Sequence, residues 1–352
     1  IDNLGYKGPS PIQRQAIPVG MARRDIIGIA ETGSGKTCAF LVPLLNYFLS
    51  LPEASQSRDS VAENGPLGII MAPTRELAQQ IDEEAVKLML YTTFQSFCIV
   101  GGQDIEDQGA KLRNGVHLVT GTPGRLVDCL ESNYLVLNQC NYIVLDEADR
   151  MVDMGFEAAL TKVLDAMGGL MKNEDEEVAM QEAQQAQQGL SDVRVTAMFS
   201  ATMSPEVERI AKRYLRHPAI IKIGDEDSGK NKRIDQQIIW LTSEAQKKGK
   251  ILELLRRLQG DQKCIVFVNA KKQADVVGRD LERNGLRVAV LHGGKAQAER
   301  EETLETFRKG QFQILVATDV AGRGLDIPDV SHVFNYDCPQ KIAAYTHRIG
   351  RT

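Results

Sequence analysis

The fold is decided by residues 25–37, which read Asp25-Ile26-Ile27-Gly28-Ile29-Ala30-Glu31-Thr32-Gly33-Ser34-Gly35-Lys36-Thr37. A β-branched apolar run is followed by a glycine-rich loop, and the spacing of Phe40, Leu41 and Leu44 then indicates a helix. Such a loop turns successive backbone N–H groups towards an anion at the helix N-terminus. We therefore predict a phosphate-binding loop in which Lys36 contacts the β- and γ-phosphates and Thr37 ligates Mg²⁺. The alternative is a glycine-rich turn that binds nothing.

Similar apolar runs recur along the chain between segments of helical spacing. Near-continuous apolar runs are typical of strands covered on both faces, and their alternation with helices indicates an α/β fold with parallel sheets. Ser204 and Pro205 open one helix with an apolar stripe, and Lys250 to Leu258 follow the same pattern. The predicted strands cover residues 26–29, 67–71, 117–120, 142–145, 263–268, 287–291 and 313–317.

The length of 352 residues predicts two domains, each able to bury its own core. The polar, glycine-containing stretch between the two groups of strands is the best candidate for a linker. We therefore predict a first domain over 1–224, a linker over 225–235 and a second domain over 236–352. Residues 171–191 are rich in Glu, Gln and Ala, and we expect a surface helix or a mobile insertion there.

The composition narrows the class of protein. A net charge of -5 argues against binding nucleic acid through overall basicity, so any such site is a localised groove. No uncharged apolar stretch is long enough to cross a bilayer, so we expect no membrane partner. The start, Ile1-Asp2-Asn3, carries neither a signal peptide nor an initiating Met, which suggests a fragment of a longer chain.

The six cysteines form no Cys-x-x-Cys pair, so neither a zinc motif nor a redox motif is supported. This usage favours a reducing intracellular compartment. We expect all six to be small core residues: Cys38, Cys98, Cys129, Cys140, Cys264 and Cys338.

An acidic quartet, Asp146-Glu147-Ala148-Asp149, follows the predicted strand at 142–145. Carboxylates at the C-terminal end of a buried parallel strand, beside a phosphate loop, suit a metal ion and an attacking water molecule. We predict that Asp146 belongs to the Mg²⁺ shell and that Glu147 orients or deprotonates the water. A solvated acidic turn is the alternative.

The quartet also spells the name of the DEAD-box ATP-dependent RNA helicases, and other segments resemble that family's motifs in the same order. The resemblance implies two tandem RecA-like domains, each a parallel sheet flanked by helices, which bind ATP in the cleft between them and single-stranded RNA or a short RNA duplex across both. It also implies a monomeric core. The matching segments are residues 11–13, 73–78, 101–102, 122–125, 200–202, 267–269, 318–326 and 347–351.

The resemblance assigns roles around ATP. Gln13 is expected to read adenine through its carboxamide, a donor and an acceptor side by side. Asp326 matches the residue that binds the ribose, and Arg348 and Arg351 resemble arginine fingers that stabilise transition-state charge. The residues expected to couple hydrolysis to work on RNA are Asp149, Ser200, Thr202 and His347.

The resemblance also implies an RNA path that contacts phosphates and 2′-hydroxyls and is blind to sequence. Thr74 and Thr122 look like helix caps as well, so bound phosphates are expected at exposed helix N-termini. The expected contacts in the first domain are Pro73, Thr74, Arg75, Gly102, Thr122, Gly124 and Arg125, and those in the second are Arg300 and Thr318.

Within the family, Glu31, the insertion before Ser200 and residues 321–324 resemble the spliceosomal branch that acts at the 5′ splice site. That likeness implies a nuclear protein and a spliceosomal ribonucleoprotein partner. Two family elements fall outside the sequence: the aromatic residue that stacks on adenine, and the last arginine of the final motif. Two other functions use the same residues: an ATP-gated RNA clamp with little unwinding, and a DNA translocase.

Overall fold

The computed structural model describes residues 5–6, 8–31, 33–169, 172–173, 175–187, 193–224, 234–258, 262–319 and 329–352. Two predicted nucleotide contacts, Thr32 and Asp326, lie outside these residues, as do residues 321–324 and most of the predicted linker. The chain divides into two compact units, Ile1–Gly224 and Asp225–Thr352. Each unit is described by itself.

The first unit is built on a parallel sheet of seven strands in the order β3-β4-β2-β5-β6-β1-β7. Its central strands are buried over their whole length, which explains their near-continuous apolar sequences. The strands are β1 Ile26–Ala30, β2 Gly68–Met71, β3 Ser96–Ile99, β4 Leu118–Gly121, β5 Tyr142–Leu145, β6 Val195–Ser200 and β7 Ala219–Ile223.

Helices cover both faces of this sheet, and the side chains of alternate strand residues pack into two separate hydrophobic cores. On one face α1, α2 and α5 pack on side chains such as Ile70, Val144 and Phe199. On the other, α7, α9 and α11 pack on Ile69, Ile143 and their neighbours. The helices are α1 Pro11–Met21, α2 Lys36–Ser50, α3 Glu53–Gln56, α4 Arg58–Asn64, α5 Arg75–Leu88, α6 Ile105–Arg113, α7 Pro123–Glu131, α8 Ala148–Asp153, α9 Glu157–Ala166, α10 Glu176–Gln187 and α11 Pro205–Tyr214.

The second unit has a parallel sheet of four strands in the order β11-β8-β10-β9. α12 and α13 pack on one face of it, and α14 packs on the other. The strands are β8 Lys263–Val268, β9 Val288–Leu291, β10 Ile314–Thr318 and β11 Val330–Asn335, and the helices are α12 Glu244–Arg256, α13 Lys271–Arg283, α14 Gln297–Arg308 and α15 Ile342–Ile349. The predicted α/β class with parallel sheets is therefore confirmed.

Helix α10 lies within the predicted insertion and is attached to the first unit at the N-terminal edge of its sheet. Glu182 of α10 forms a 2.9 Å ion pair with the buried guanidinium of Arg216. The backbone N–H of Arg216 in turn donates to Asp25, the residue before β1, over 2.7 Å. The described part of the insertion thus contains a docked helix, the first of the two forms that we expected.

Two expectations need correction. The helix predicted at Lys250 to Leu258 is longer at its start, because Ser243 caps it by accepting a hydrogen bond from the N–H of Gln246. The six cysteines are not all core residues: Cys338 is exposed, whereas Cys38 and Cys98 are half-buried. Among the described residues, no helix is both long and apolar enough to cross a membrane.

Candidate nucleotide and nucleic-acid sites

The predicted site residues of the first unit lie along one edge of its sheet. Parallel strands end at the same edge, so the strand order decides which loops are neighbours. The phosphate loop follows β1, the acidic quartet follows β5 and Ser200 ends β6, and these three strands are adjacent. The predicted RNA contacts follow β2, β4 and β3, which are also adjacent. We call these two groups of loops the nucleotide half and the RNA half of the edge, after the ligands predicted for them.

The phosphate loop has the geometry that an anion needs. Gly33 and Gly35 have φ angles of +78° and +90°, which side chains other than glycine rarely adopt. The Lys36 ammonium is buried and donates to the carbonyl of Ala30 over 2.9 Å, which folds the loop back on the strand. Within the described part of the chain, the buried hydroxyl of Ser34 has no hydrogen-bond partner. A triphosphate seated here supplies the acceptor that this hydroxyl lacks.

Gln13 lies directly beside the phosphate loop. Its Nε2 donates to the carbonyl of Gly35 over 3.0 Å, and its Oε1 accepts from the N–H of Ser10 over 2.9 Å. A carboxamide has two N–H groups and two lone pairs, so one of each is left for a base. The contact with Gly35 ties the predicted adenine-reading residue to the loop that holds the phosphates.

The acidic quartet is buried at the centre of the edge. Burial raises the pKa of Asp146 to about 6, against the opposing charge of Lys36 and with a further increase from Glu147. Such a carboxyl gains from a divalent cation, which stabilises its charged form. No cluster of three or more His, Cys, Asp or Glu suited to a metal occurs among the described residues.

Glu147 adopts a left-handed backbone conformation with φ of 51° at the N-terminus of α8. Its Oε2 accepts a 2.6 Å hydrogen bond from Nη1 of Arg150, and both side chains are almost fully buried. Sequence reasoning passed over Arg150 because it follows the quartet as an ordinary helical residue. The ion pair holds the Glu147 carboxylate in one place and favours its ionised form.

Three predicted coupling residues of the first unit meet in one network. Asp149 accepts at Oδ2 from the backbone N–H of Thr202 over 3.0 Å and from its hydroxyl over 2.7 Å. The N–H of Asp149 donates to Oγ of Ser200 over 3.2 Å, and that hydroxyl donates to the carbonyl of Thr202 over 2.8 Å. The network ties the quartet to the segment that follows β6.

The RNA half of the edge presents two helix N-termini. Thr74 is the N-cap of α5 and accepts from the N–H of Leu77 over 3.3 Å. Thr122 is the N-cap of α7, but its hydroxyl makes no capping bond, so only its position matches our expectation. Pro73 is buried before Thr74, and a Cβ added to Gly124 would meet nothing within 4 Å. Both helix N-termini carry the positive end of a helix dipole, which attracts phosphates.

Two arginines predicted to contact RNA converge on the loop that follows β3. Nη2 of Arg125 donates to the carbonyl of Gln103 over 3.0 Å. The guanidinium of Arg75 lies so close to Gly102 that an added Cβ would be 2.3 Å from its Nη1, and Gly102 has a φ of +85°. The backbone conformation favours glycine there, and an added Cβ would displace the end of the Arg75 side chain.

In the second unit, Thr318 is the last residue of β10 and Arg300 lies on α14, which follows the neighbouring strand β9. Both side chains are buried, and Nη1 of Arg300 donates to Gln297 over 3.2 Å. His347 and Arg351 are buried at the end of α15.

Arg348, which resembles an arginine finger, is held by contacts inside the second unit. Its side chain is 0% exposed, and all five of its N–H groups are used inside the second unit. Nε and Nη2 form a fork on the carboxylate of Asp319, at 2.6 and 2.7 Å, and Nη2 also donates to Asn269 over 2.6 Å. Nη1 donates to Asn335 over 3.2 Å and to the carbonyl of Asp337 over 2.7 Å. Arg348 thus has a structural role inside the second unit, and its predicted role as an arginine finger stays a prediction.

Known families match the two units separately. Residues 10–210 match the family described as DEAD/DEAH box helicase, and residues 246–352 match the helicase conserved C-terminal domain. The chain belongs to the DEAD/DEAH box helicase family. The first of these matches alone spans more than half of the chain, and it contains the phosphate loop, the quartet and Ser200.

The chain is similar to other members of the family over its whole length. It is 52% identical to DEAD-box ATP-dependent RNA helicase 21 of Oryza sativa and 47% identical to the pre-mRNA-splicing ATP-dependent RNA helicase PRP28 of Gibberella zeae, and each comparison covers 100% of this chain. The chain spans 46% and 48% of those two relatives. The crystal structure of the RNA helicase Prp28 from Chaetomium thermophilum bound to ADP is 45% identical, with a TM-score of 0.52 over 100% of this chain and 77% of that one.

Proposed function

We propose that this chain is the core of an ATP-dependent RNA helicase, in which RNA-stimulated ATP hydrolysis drives local strand separation or ribonucleoprotein remodelling. The observation that carries the proposal is the single edge of the first sheet, where the phosphate loop and acidic quartet adjoin the helix N-termini at Thr74 and Thr122. Membership of the helicase family supports the same reading.

In the proposed mechanism the phosphate loop holds ATP through its backbone N–H groups, Ser34 and Lys36, and Thr32 is a further proposed contact. Thr37 and Asp146 are the proposed Mg²⁺ ligands, and the ion, when bound, neutralises charge on the phosphates. Glu147, fixed by Arg150, orients the attacking water and accepts its proton. Gln13 binds adenine through the N–H group and the lone pair that its contacts with Gly35 and Ser10 do not use.

The second unit contributes the remaining proposed residues. Arg351 is the proposed transition-state cation, Asp326 the proposed ribose contact and His347 the proposed coupling residue of this unit. Arg300 and Thr318 are the proposed RNA contacts at the end of the second sheet. We assign the ATP-binding domain to the first unit and the second helicase domain to Asp225–Thr352.

The RNA contacts of the first unit are proposed to recognise the backbone of a single strand. Helix N-termini and arginines bind phosphates whatever the base, and contacts to the 2′-hydroxyl distinguish RNA from DNA. Sequence selection then has to come from other proteins or segments.

The proposed setting is pre-mRNA splicing in the nucleus. Support comes from the 47% identity with a helicase that is named for that process. Ultraviolet crosslinking of the tagged protein in living cells, followed by sequencing of the bound RNA, tests this setting. Recovery of small nuclear RNAs and 5′ splice sites is expected, and their absence would remove splicing from the proposal.

The activity itself is tested by ATP turnover of the chain alone, with single-stranded RNA and with DNA of the same sequence. We expect RNA to stimulate turnover and DNA to have little effect. A short RNA duplex with one labelled strand then separates a helicase from an ATP-gated clamp. Strand release requires ATP in the first case, whereas ATP-dependent retention without release identifies the second.

A further inference from the structure

Gln108 is a buried amide on α6 that none of the functions above uses. Its side chain is 2% exposed, and its Nε2 donates to the carbonyl of Val100 over 3.0 Å and to Oε1 of Gln103 over 2.9 Å. The carbonyl of Val100 can only accept, so the atom facing it is the nitrogen. Gln108 therefore clamps both ends of the loop that joins β3 to α6.

This loop, residues 100–104, is the meeting point of the RNA half of the edge. Arg125 on α7 donates to the carbonyl of Gln103, and Arg75 on α5 lies against Gly102. Gln108 approaches from α6. Three helices thus fix one short loop, and two of the three side chains are the arginines proposed to contact RNA.

Among the described residues, only the nitrogen of the Gln108 side chain makes hydrogen bonds. Its Oε1 is buried and accepts no hydrogen bond from the residues that the structure describes. Burying a carbonyl oxygen without a donor costs free energy. An amide at this position therefore does not maximise stability. What it provides is the pair of hydrogen bonds from its nitrogen to the loop.

We propose that Gln108 is a positioning residue for RNA binding. It holds residues 100–104 so that the backbone at Gly102 and the guanidinium groups of Arg75 and Arg125 form one surface for a ribose-phosphate chain. This inference rests on the proposed binding of RNA at this edge.

The test replaces Gln108 by methionine, which keeps the length of the side chain and removes both its donors and its orphan oxygen. RNA affinity in the presence of a non-hydrolysable ATP analogue is expected to fall about tenfold, since a preorganised site loses affinity when it loosens. ATP affinity without RNA, turnover at saturating RNA and the melting temperature are expected to stay near the wild-type values. A smaller salt dependence of RNA binding is expected as well, because fewer phosphates are contacted.

Gln139 offers a matched control. Its Nε2 donates to the carbonyls of Gly65 over 2.7 Å and Ser60 over 3.3 Å. These residues precede β2 and β5, at the opposite edge of the sheet. Gln139→Met removes a similar pair of donor bonds, together with the 3.2 Å bond that its Oε1 accepts from the Ser60 hydroxyl, and is expected to leave RNA affinity unchanged, even where it lowers stability.

The outcomes separate the two proposals. If the wild-type chain binds no RNA, the proposed function falls, and this inference falls with it. If the wild type binds RNA and Gln108→Met binds it equally well, only the inference is overturned. Equal losses of RNA affinity in Gln108→Met and Gln139→Met would also overturn it, because they would show a general effect of destabilisation.

Discussion

The hydroxyl of Thr202 donates a 2.7 Å hydrogen bond to Oδ2 of Asp149, and the backbone N–H of the same residue donates to the same oxygen. One carboxylate oxygen therefore joins the segment after β6 to the first turn of α8. Movement at either end of this link is transmitted to the other, which suits a connection between the nucleotide and the rest of the sheet edge.

Replacing Thr202 by valine tests this link, because valine keeps the shape and removes the hydroxyl. We expect basal ATP turnover within about twofold of wild type and ATP-driven strand release lowered about tenfold, in line with the loss of a hydrogen bond to a charged group. Turnover and duplex release are measured on the same preparation.

Thr196→Val is the control, since Thr196 lies on β6, the strand that precedes Thr202, and its buried hydroxyl has no hydrogen-bond partner among the described residues. This change is expected to leave both activities intact. Equal effects of the two substitutions would show that the link to Asp149 carries no coupling.

Glu147→Gln is expected to abolish ATP hydrolysis while ATP still binds. Glutamine keeps the shape and can still accept the hydrogen bond from Arg150, but its amide does not accept a proton from water. Loss of a general base lowers turnover by about 100-fold or more. Single-turnover hydrolysis and equilibrium binding of a fluorescent ATP analogue provide the two measurements, and near-normal turnover would remove Glu147 from the assigned role.

Arg348→Ala is expected to destabilise the second unit, because it leaves the carboxylate of Asp319 and several acceptors without their donor. Breaking a buried ion pair of this kind costs about 3 kcal/mol. Urea unfolding measures this cost. Arg351→Ala, by contrast, is expected to lower turnover with a smaller effect on stability. If Arg348→Ala unfolds at the wild-type urea concentration and loses only hydrolysis, the role of Arg348 is catalytic after all.

His117 makes the stability of the first unit depend on pH. It is buried just before β4, where Nδ1 accepts from the N–H of Gln95 over 3.1 Å and Nε2 donates to the carbonyl of Gln56 over 2.9 Å. Burial lowers its pKa below the ordinary value of 6.5. The unfolded chain then binds more protons than the folded one as the pH falls through 6.5, so this contribution to stability is lost towards acid pH.

Urea unfolding at pH 5.5 and pH 7.5 checks the prediction, with His117→Gln as the reference because glutamine can make both hydrogen bonds without titrating. Burial raises the pKa of Asp25 to about 6, which acts in the opposite direction over part of this range. The quantity to compare is therefore the free energy of unfolding of the wild type minus that of the variant. This difference should be lower at pH 5.5 than at pH 7.5.

Local patterns predicted where the phosphate loop and the acidic quartet lie in the first unit. The phosphate loop and the quartet each follow a buried strand directly, so their positions depend on a few neighbouring residues. Four strands were not predicted: β3, β6, β7 and β11. β3, β7 and β11 are edge strands that are only partly buried, whereas β6 is buried but interrupted by the polar residues Thr196 and Ser200. Edge strands lack the continuous apolar run that identifies the central ones.

The features that were not predicted from the sequence depend on contacts between residues that are distant in the chain. Motif spacing places Arg348 beside Arg351 but does not show that Asp319, Asn269 and Asn335 use its donors. Gln108 left a weaker signal: it occupies the apolar stripe of α6 between Ile105 and Leu112, where a polar residue is unexpected. A polar residue in such a stripe indicates a buried hydrogen bond, although its partner is visible only in the fold.

The attachment of α10 at the N-terminal edge of the first sheet has a practical consequence. β1, which is five residues long, spans about 16 Å at the usual rise of a strand. That length separates the anchor of α10 at Asp25 from the phosphate loop at the other end. A fluorophore or an affinity tag on the exposed face of α10 is therefore expected to leave the proposed nucleotide site undisturbed.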